Sequence, residues 1–163
     1  MNESLVSSRI KLVDITADNL SEICKLSNTL TDSQKKCVAT NAYSIAQAHY
    51  YPETAWFKGI YLIEGSVPIG FVMLDHVFDD IPESDKPGIY LWRFMIKLDA
   101  QKNGYGREVL DLIADKFKSE GKKTLYTSCV MEEADSPYHF YIKYGFIDTG
   151  LKEDDEQFLM KWL

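Results

Sequence analysis

The segment of residues 89–117 places the strongest constraint on how this chain can fold. Residues 89–96 form an apolar run that predicts a central strand, and residues 108–117 have the apolar spacing of an amphipathic helix. Between them lies the run Gln101-Lys102-Asn103-Gly104-Tyr105-Gly106-Arg107. A glycine loop between a strand and a helix start gathers backbone N–H groups at the positive end of the helix dipole. The sequence therefore predicts an anion site, and hence a phosphate-bearing ligand, at this loop.

The rest of the chain predicts one α+β domain over residues 1–163 with a mixed sheet, because no repeat, linker or low-complexity tract divides it. Alternating or apolar runs predict seven strands, at residues 9–15, 56–64, 67–74, 89–96, 125–130, 146–150 and 158–163. Helical spacing predicts four helices: one that begins near Thr16, then residues 41–49, 108–117, and one that runs from Ser136-Pro137 to Gly145. The polar residues 31–39 and the acidic residues 78–87 are expected to form loops.

The composition argues against several classes of protein. The chain has 163 residues and a net charge of −7. Nucleic-acid binding depends on Lys and Arg that neutralise phosphates, so no nucleic-acid partner is expected, and an acidic surface attracts cationic small molecules instead. No run approaches the ~18 apolar residues of a membrane helix, so no membrane partner is expected and a cytoplasmic location is the default. The three cysteines and three histidines show no metal-ligand spacing, so no metal site is expected.

Three glycine-loop patterns compete for residues 101–107. A Walker loop needs Lys followed by Ser or Thr directly after its last glycine, whereas Gly106 is followed by Arg107. A dinucleotide fingerprint needs a third glycine where this chain has Val109, and it follows a first strand rather than a late one. The third pattern, Q/R-x-x-G-x-G/A, is matched by Gln101, Gly104 and Gly106. This pattern is typical of loops that bind the pyrophosphate of coenzyme A.

A second motif lies about 40 residues further on, where Phe140-Tyr141-Ile142-Lys143-Tyr144-Gly145-Phe146 is similar to an (L/F)Y-x-x-x-GF segment. With both motifs in this order, nearly the whole chain resembles the GNAT superfamily of N-acetyltransferases. The stretches 43–52 and 91–96 are similar to its bacterial spermine/spermidine acetyltransferase-like branch. The resemblance implies a mostly antiparallel mixed sheet of six to seven strands, splayed between the fourth and fifth, with about four helices.

The resemblance also implies that the chain binds acetyl-CoA. Glycines 104 and 106 would let the backbone approach the pyrophosphate, and the fourth strand would pair with the pantetheine arm. Ser136 would replace an asparagine that the family commonly has near the start of its last helix. The implied cofactor-binding residues are Phe94, Met95, Ile96, Gln101, Lys102, Asn103, Gly104, Tyr105, Gly106, Arg107, Ser136 and Tyr141.

The family's tyrosine at the position of Tyr141 is a general acid toward the departing thiolate, so Tyr141 is the implied catalytic residue. The residue that removes the proton from the acceptor ammonium is not identified. The family's glutamate on the fourth strand is missing, and Glu53, Asp75, His49 and His76 remain as candidates.

The acceptor site is expected to combine aromatic faces with carboxylates, a mixture that suits a cationic amine. Tyr51, Glu53, Asp75 and Trp92 are the expected substrate-binding residues. The expected function is direct acetyl transfer, within a ternary complex, from acetyl-CoA to a primary amine of a small cationic acceptor such as a polyamine. Three other acceptors stay open, namely an aminoglycoside, an amino acid or a protein N-terminus, as does a non-catalytic CoA-binding sensor. A homodimer is possible.

Overall fold

A seven-stranded mixed sheet forms the centre of the computed structural model, which describes residues 7–163. The strands are β1 (Ile10–Val13), β2 (Ala55–Leu62), β3 (Pro68–Phe78), β4 (Gly88–Ile96), β5 (Thr124–Val130), β6 (Ile147–Glu153) and β7 (Glu156–Trp162). The helices are α1 (Leu20–Lys25), α2 (Asp32–Cys37), α3 (Asn41–His49), α4 (Tyr105–Ser119) and α5 (Tyr138–Tyr144). The sheet order is β1-β2-β3-β4-β5-β7-β6. All neighbouring pairs are antiparallel except β4 and β5, which are parallel.

Strands β4 and β5 pair along only part of their length. The paired residues run from Gly88 opposite Thr124 to Leu91 opposite Thr127. Beyond this point β4 carries a bulge, because Leu91 and Arg93 oppose consecutive residues of β3 and leave Trp92 as the extra residue. A bulge bends its strand, and the remainder of β4 diverges from β5. We call the opening the β4–β5 gap, and it confirms the predicted splay.

Apolar side chains cover both faces of the sheet. Helix α4 buries Val109, Leu110, Ile113 and Phe117 on one face, in a cluster that also contains Tyr141 and Phe146 from the region of α5. On the other face, Ile23 of α1 and Ala48 of α3 pack with Phe71, Met73 and Met95. The sheet therefore forms a middle layer, with α4 and α5 on one side and α1 and α3 on the other.

The predicted strands and the four predicted helices are present, with shifted ends and one additional helix. Helix α1 begins at Leu20 rather than near Thr16, because the side chain of Asn19 accepts a hydrogen bond from Thr16 N over 2.8 Å and holds a turn there. Helix α2 lies within residues 31–39, for which a loop was expected. It buries no residue, so it has no apolar stripe to reveal it, and a capping box between Thr31 and Gln34 begins it.

Within residues 7–163, no helix has the length and apolar character needed to cross a membrane.

Candidate active site

A deep cleft lies at the β4–β5 gap. Its volume is about 1110 Å³, and its walls include the diverging half of β4, the loop 100–107 and part of α5. Residues 34–39 and 134–137 form further walls. Thr31, which caps α2, and Gln34 of α2 close one side. Thr31 Oγ1 donates to Asp135 Oδ2 over 2.6 Å, and Gln34 Nε2 donates to Gln101 Oε1 over 2.8 Å. The cleft is at least as large as the pockets that take drug-sized ligands.

The loop between β4 and α4 presents free backbone donors to this cleft. Gly104 has a left-handed conformation with a φ of 84°, and Lys102 is also left-handed with a φ of 62°. No side chain of the described residues caps α4, so the first N–H groups of this 15-residue helix stay available. Lys102 and Arg107 are exposed beside them. The loop can therefore hold an anionic group with backbone hydrogen bonds, two nearby cations and the helix dipole.

Side-chain hydrogen bonds hold the loop in this shape. The Asn103 side chain donates to the carbonyl oxygens of Ala100 and Gln101 over 3.1 and 3.0 Å. Gln101 Nε2 donates to the carbonyl oxygen of Ile96 over 2.8 Å, which ties the loop to the last residue of β4. Arg9 Nη2 donates to the carbonyl oxygen of Asn103 over 2.8 Å. The side chains of Gln101 and Asn103 thus maintain the conformation of the loop backbone.

Tyr141 lies where the gap begins. Its side chain is 5% exposed, and it lines the cleft close to Thr127, the last residue of β5 that pairs with β4. Burial raises the pKa of the Tyr141 phenol, and the hydroxyl of Thr127 opposes that shift only in part. The phenol is therefore protonated at neutral pH and can donate a proton into the cleft.

Most of the predicted cofactor-binding residues line this one cleft. The exception is Asn103, whose side chain forms hydrogen bonds with the loop backbone and does not line the cleft. The predicted residues in the lining are Phe94, Met95, Ile96, Gln101, Lys102, Gly104, Tyr105, Gly106, Arg107, Ser136 and Tyr141.

The predicted acceptor residues are more scattered. Trp92 lines the cleft, and Tyr51 meets the edge of its ring with 5.6 Å between centroids. Glu53 lies on an exposed turn before β2. Asp75 lies on β3, where its Oδ1 accepts a hydrogen bond from Val77 N over 2.9 Å. Tyr51, Glu53 and Asp75 do not line the cleft.

Polar residues that the sequence did not single out also line it, among them Tyr90, Arg93, Ser128 and Glu156. Tyr90 OH lies 2.5 Å from Ser128 Oγ, and the Ser128 hydroxyl donates to Glu156 Oε2. These residues come from three strands, so only the sheet register brings them together. The alternation of β7 places Glu156 on the face of Phe158, but Glu156 lies before residues 158–163, the range predicted for this strand.

Arg93 is a half-buried cation in the same wall. Its guanidinium donates to the carbonyl oxygen of Trp92 over 2.8 Å and to Gln47 Oε1 over 3.2 Å, while its Nε is buried without a hydrogen-bond partner. Burial lowers the pKa of Arg93, and the nearby Tyr90 and Glu156 oppose that shift. No carboxylate of residues 7–163 lies within ion-pair distance of it.

A sequence model of the GNAT acetyltransferases matches residues 23–146, which is more than half of the chain. The chain belongs to the GNAT family of acetyltransferases. The predicted family, the N-acetyltransferase activity and acetyl-CoA as the acetyl donor are confirmed by this match. The cleft fits that donor, since it joins free backbone donors and cations at the loop to a buried phenol at the start of the gap.

Solved structures share the fold of this GNAT protein at low sequence identity. The PaiA N-acetyltransferase of Thermoplasma acidophilum, in complex with coenzyme A, has a TM-score of 0.67 at 15% identity, covering 96% of this chain and 100% of that one. Spermidine N-acetyltransferase of Vibrio cholerae, in complex with CoA and spermine, has a TM-score of 0.70 at 15% identity, with coverage of 94% and 95%. An acetyltransferase of Salmonella typhimurium that modifies the N-terminal serine of ribosomal protein L7/L12 has a TM-score of 0.74 at 10% identity, with coverage of 96% of both chains. A comparison with curated protein sequences gives no match. At these identities the likeness concerns the fold alone.

Proposed function

We propose that this protein transfers the acetyl group of acetyl-CoA to a primary amine of a small acceptor, by direct attack in a ternary complex. The observation that carries the proposal is the β4–β5 gap. Pairing stops at Leu91 and Thr127, and the cleft that opens there extends from the buried Tyr141 to the uncapped start of α4. One continuous site can therefore hold the anionic end of the donor at the loop and its reactive end beside a proton donor.

The residues of the loop and of β4 bind the donor in this proposal. Backbone N–H groups of residues 102–107, together with Lys102 and Arg107, take the pyrophosphate. The backbone of Phe94, Met95 and Ile96 takes the pantetheine arm as an added strand would, and one of its amides stabilises the oxyanion. Tyr141 gives a proton to the departing thiolate.

A polyamine is the first acceptor we propose. The chain resembles the spermine/spermidine acetyltransferase-like branch, its net charge is −7, and Trp92 offers an aromatic face at the cleft that suits an alkylammonium group. The spermidine N-acetyltransferase among the solved structures shares this fold.

Arg93 favours a second acceptor class. A half-buried guanidinium without a carboxylate partner repels a polycation and attracts an anionic group. An amino acid or the N-terminus of an acidic peptide would supply an amine and a carboxylate together. The Arg93→Gln variant distinguishes the two classes. It should raise kcat/KM if the acceptor is spermidine, and lower kcat/KM if the acceptor is an amino acid or an acidic peptide.

A thiol-release assay tests the proposed function. Acetyl-CoA is mixed with the protein and, in turn, with spermidine, spermine, aminoglycosides, amino acids and short peptides. The proposal predicts release of coenzyme A that depends on one of these amines, with a matching acetylated product by mass spectrometry. Tight binding of coenzyme A without release by any amine would instead indicate a sensor. Cytoplasmic location, homodimerisation and the lack of nucleic-acid and membrane partners stay predictions.

A further inference from the structure

Glu156, the first residue of β7, is one of two carboxylate side chains among residues 7–163 that line the cleft. The other, Asp135, accepts a hydrogen bond from Thr31 and belongs to the contact between α2 and the segment after β5. The acids that the sequence suggested as proton acceptors, Glu53 and Asp75, do not line the cleft. Glu156 is therefore the cleft carboxylate that a bound acceptor can reach.

Two hydroxyl groups orient the Glu156 carboxylate. Ser128 donates to Glu156 Oε2, and the Tyr90 phenol lies 2.5 Å from Ser128 Oγ. Burial raises the pKa of Tyr90, so this phenol is protonated at neutral pH and donates to Ser128. Among the described residues, nothing donates to Oε1 of Glu156, which leaves this oxygen free for a ligand.

Glu156 and Tyr141 approach the gap from opposite faces of the sheet. Successive residues of a strand point to opposite faces, so Thr127, which lies beside Tyr141, and Ser128, which binds Glu156, face apart. The same alternation separates Glu156 from Leu159, which packs in the core beneath α4. An acceptor amine that enters from the α3 face therefore meets Glu156, while Tyr141 serves the sulfur from the other face.

The charged and titratable groups around Glu156 come from β4, β5 and β6. Arg93 of β4 is close enough to interact with its charge, but it forms no ion pair with it. Burial raises the pKa of the Cys129 thiol to about 11, so that neighbour on β5 is neutral at pH 7. Glu153 lies opposite Glu156 in the β6–β7 hairpin and is exposed to solvent.

We propose that Glu156 is the general base of the acetyl transfer, an assignment that rests on the proposed function. The Glu156 carboxylate takes a proton from the acceptor ammonium, and the neutral amine attacks the thioester carbon to form the C–N bond. Collapse of the tetrahedral intermediate breaks the C–S bond, and Tyr141 protonates the thiolate. The second proton lost by the nitrogen restores the Tyr141 phenol through solvent, and the proton held by Glu156 leaves to solvent. Each turnover consumes one ammonium and one acetyl-CoA and yields one amide, one coenzyme A thiol and one proton released to solvent.

The test compares the Glu156→Gln variant with a Glu153→Gln control, using the best amine from the thiol-release assay across pH 6 to 10. Replacement of Glu156 should lower kcat/KM about 100-fold at neutral pH, as expected for loss of general base catalysis. The difference in kcat/KM between this variant and the wild type should shrink as the pH rises, because more of the amine is then neutral and needs no base. It should also be smaller for a weakly basic amine, which is already neutral at pH 7. The dissociation constant for coenzyme A should be unchanged, and the Glu153 variant should behave like the wild type.

Several results would overturn the assignment. If the wild type is active and the Glu156→Gln and Glu153→Gln variants have the same pH profile, Glu156 is not the base. The proposed function would be unaffected by that result. A decrease in kcat/KM that does not vary with pH and comes only from a higher KM would show that Glu156 binds the acceptor and is not a base. A wild-type protein that turns over no amine would overturn both proposals.

Discussion

At the scale of single residues, the role proposed for Tyr141 depends on where the fold places its phenol. From the sequence alone, a tyrosine in a helix is most often a packing residue, and its role is implied only by the resemblance to the family. The structure adds that it is 5% exposed, lines the cleft and has a raised pKa because of its burial. A phenol that is protonated at neutral pH holds a proton that it can give to a thiolate.

Replacement of Tyr141 by Phe should lower kcat by up to about 100-fold, because only the proton donor is removed. The dissociation constant for acetyl-CoA should change little, since the ring and its packing remain. Tyr144→Phe is the matched control, because its hydroxyl donates to Asp111 on α4. Stopped-flow measurement of thiol release checks the prediction, and full activity of the Tyr141 variant would refute the catalytic role.

Gly106 is constrained by close packing as well as by its place in the motif. A Cβ atom built on this residue would lie 3.1 Å from Cζ of Phe140, on the α5 wall of the cleft. Replacement by Val should therefore push branched methyl groups against Phe140 and obstruct the backbone donors. We expect isothermal titration to show at least a tenfold weaker affinity for acetyl-CoA, with the melting temperature lowered by only a few degrees. Lys118→Val, on the exposed side of the same helix, controls for the lower helix propensity of Val. Equal affinity of the Gly106 and Lys118 variants would count against the loop as the pyrophosphate site.

At the scale of elements, the parts that were predicted correctly from periodicity are those that bury an apolar face. Helix α4 and strand β4 are examples, since each contributes to a core cluster. Helix α2 buries no residue and was expected to be a loop, yet its capping box and its contacts with Gln101 and Asp135 make it a wall of the cleft. Its Thr31-x-x-Gln34 pattern was a usable local signal.

The acidic segment before β4 is held to the sheet by one buried carboxylate. Asp85 is 8% exposed, accepts hydrogen bonds from Tyr126 OH over 2.5 Å and from Ser84, and these bonds lower its pKa. No residue of the segment 78–87 lines the cleft. Asp85 instead links the segment to β5.

A carboxyl group whose pKa is lowered on folding stabilises the protein above its unfolded-state pKa, and this contribution is lost as the pH falls through the folded-state value. Replacement of Asp85 by Asn should therefore lower the free energy of unfolding at pH 7. The difference from the wild type should shrink below about pH 4, where the unfolded carboxyl begins to take up protons. Urea denaturation at a series of pH values measures it, with exposed Asp79→Asn as the control. A difference that is the same at pH 7 and pH 3 would show that packing, and not charge, explains the effect.

At the scale of the whole molecule, the family and the acetyl donor could be predicted from the sequence. The residues at the acceptor end of the cleft could be found only from the register of the sheet. The two motifs are local, since each lies within seven residues, so they can be recognised without coordinates. Tyr90, Ser128 and Glu156 lie on three strands and meet only because β4, β5 and β7 are adjacent. Their chemistry is therefore visible only in the folded chain.

A crystal structure of the complex with coenzyme A tests most directly whether the β4–β5 gap is the site of acetyl transfer. We predict that the pyrophosphate contacts the backbone N–H groups of residues 102–107 and that the pantetheine arm lies along residues 94–96. The thiol sulfur should lie within hydrogen-bond distance of the Tyr141 hydroxyl. Coenzyme A bound outside the gap, or bound there with its sulfur remote from Tyr141, would contradict the account.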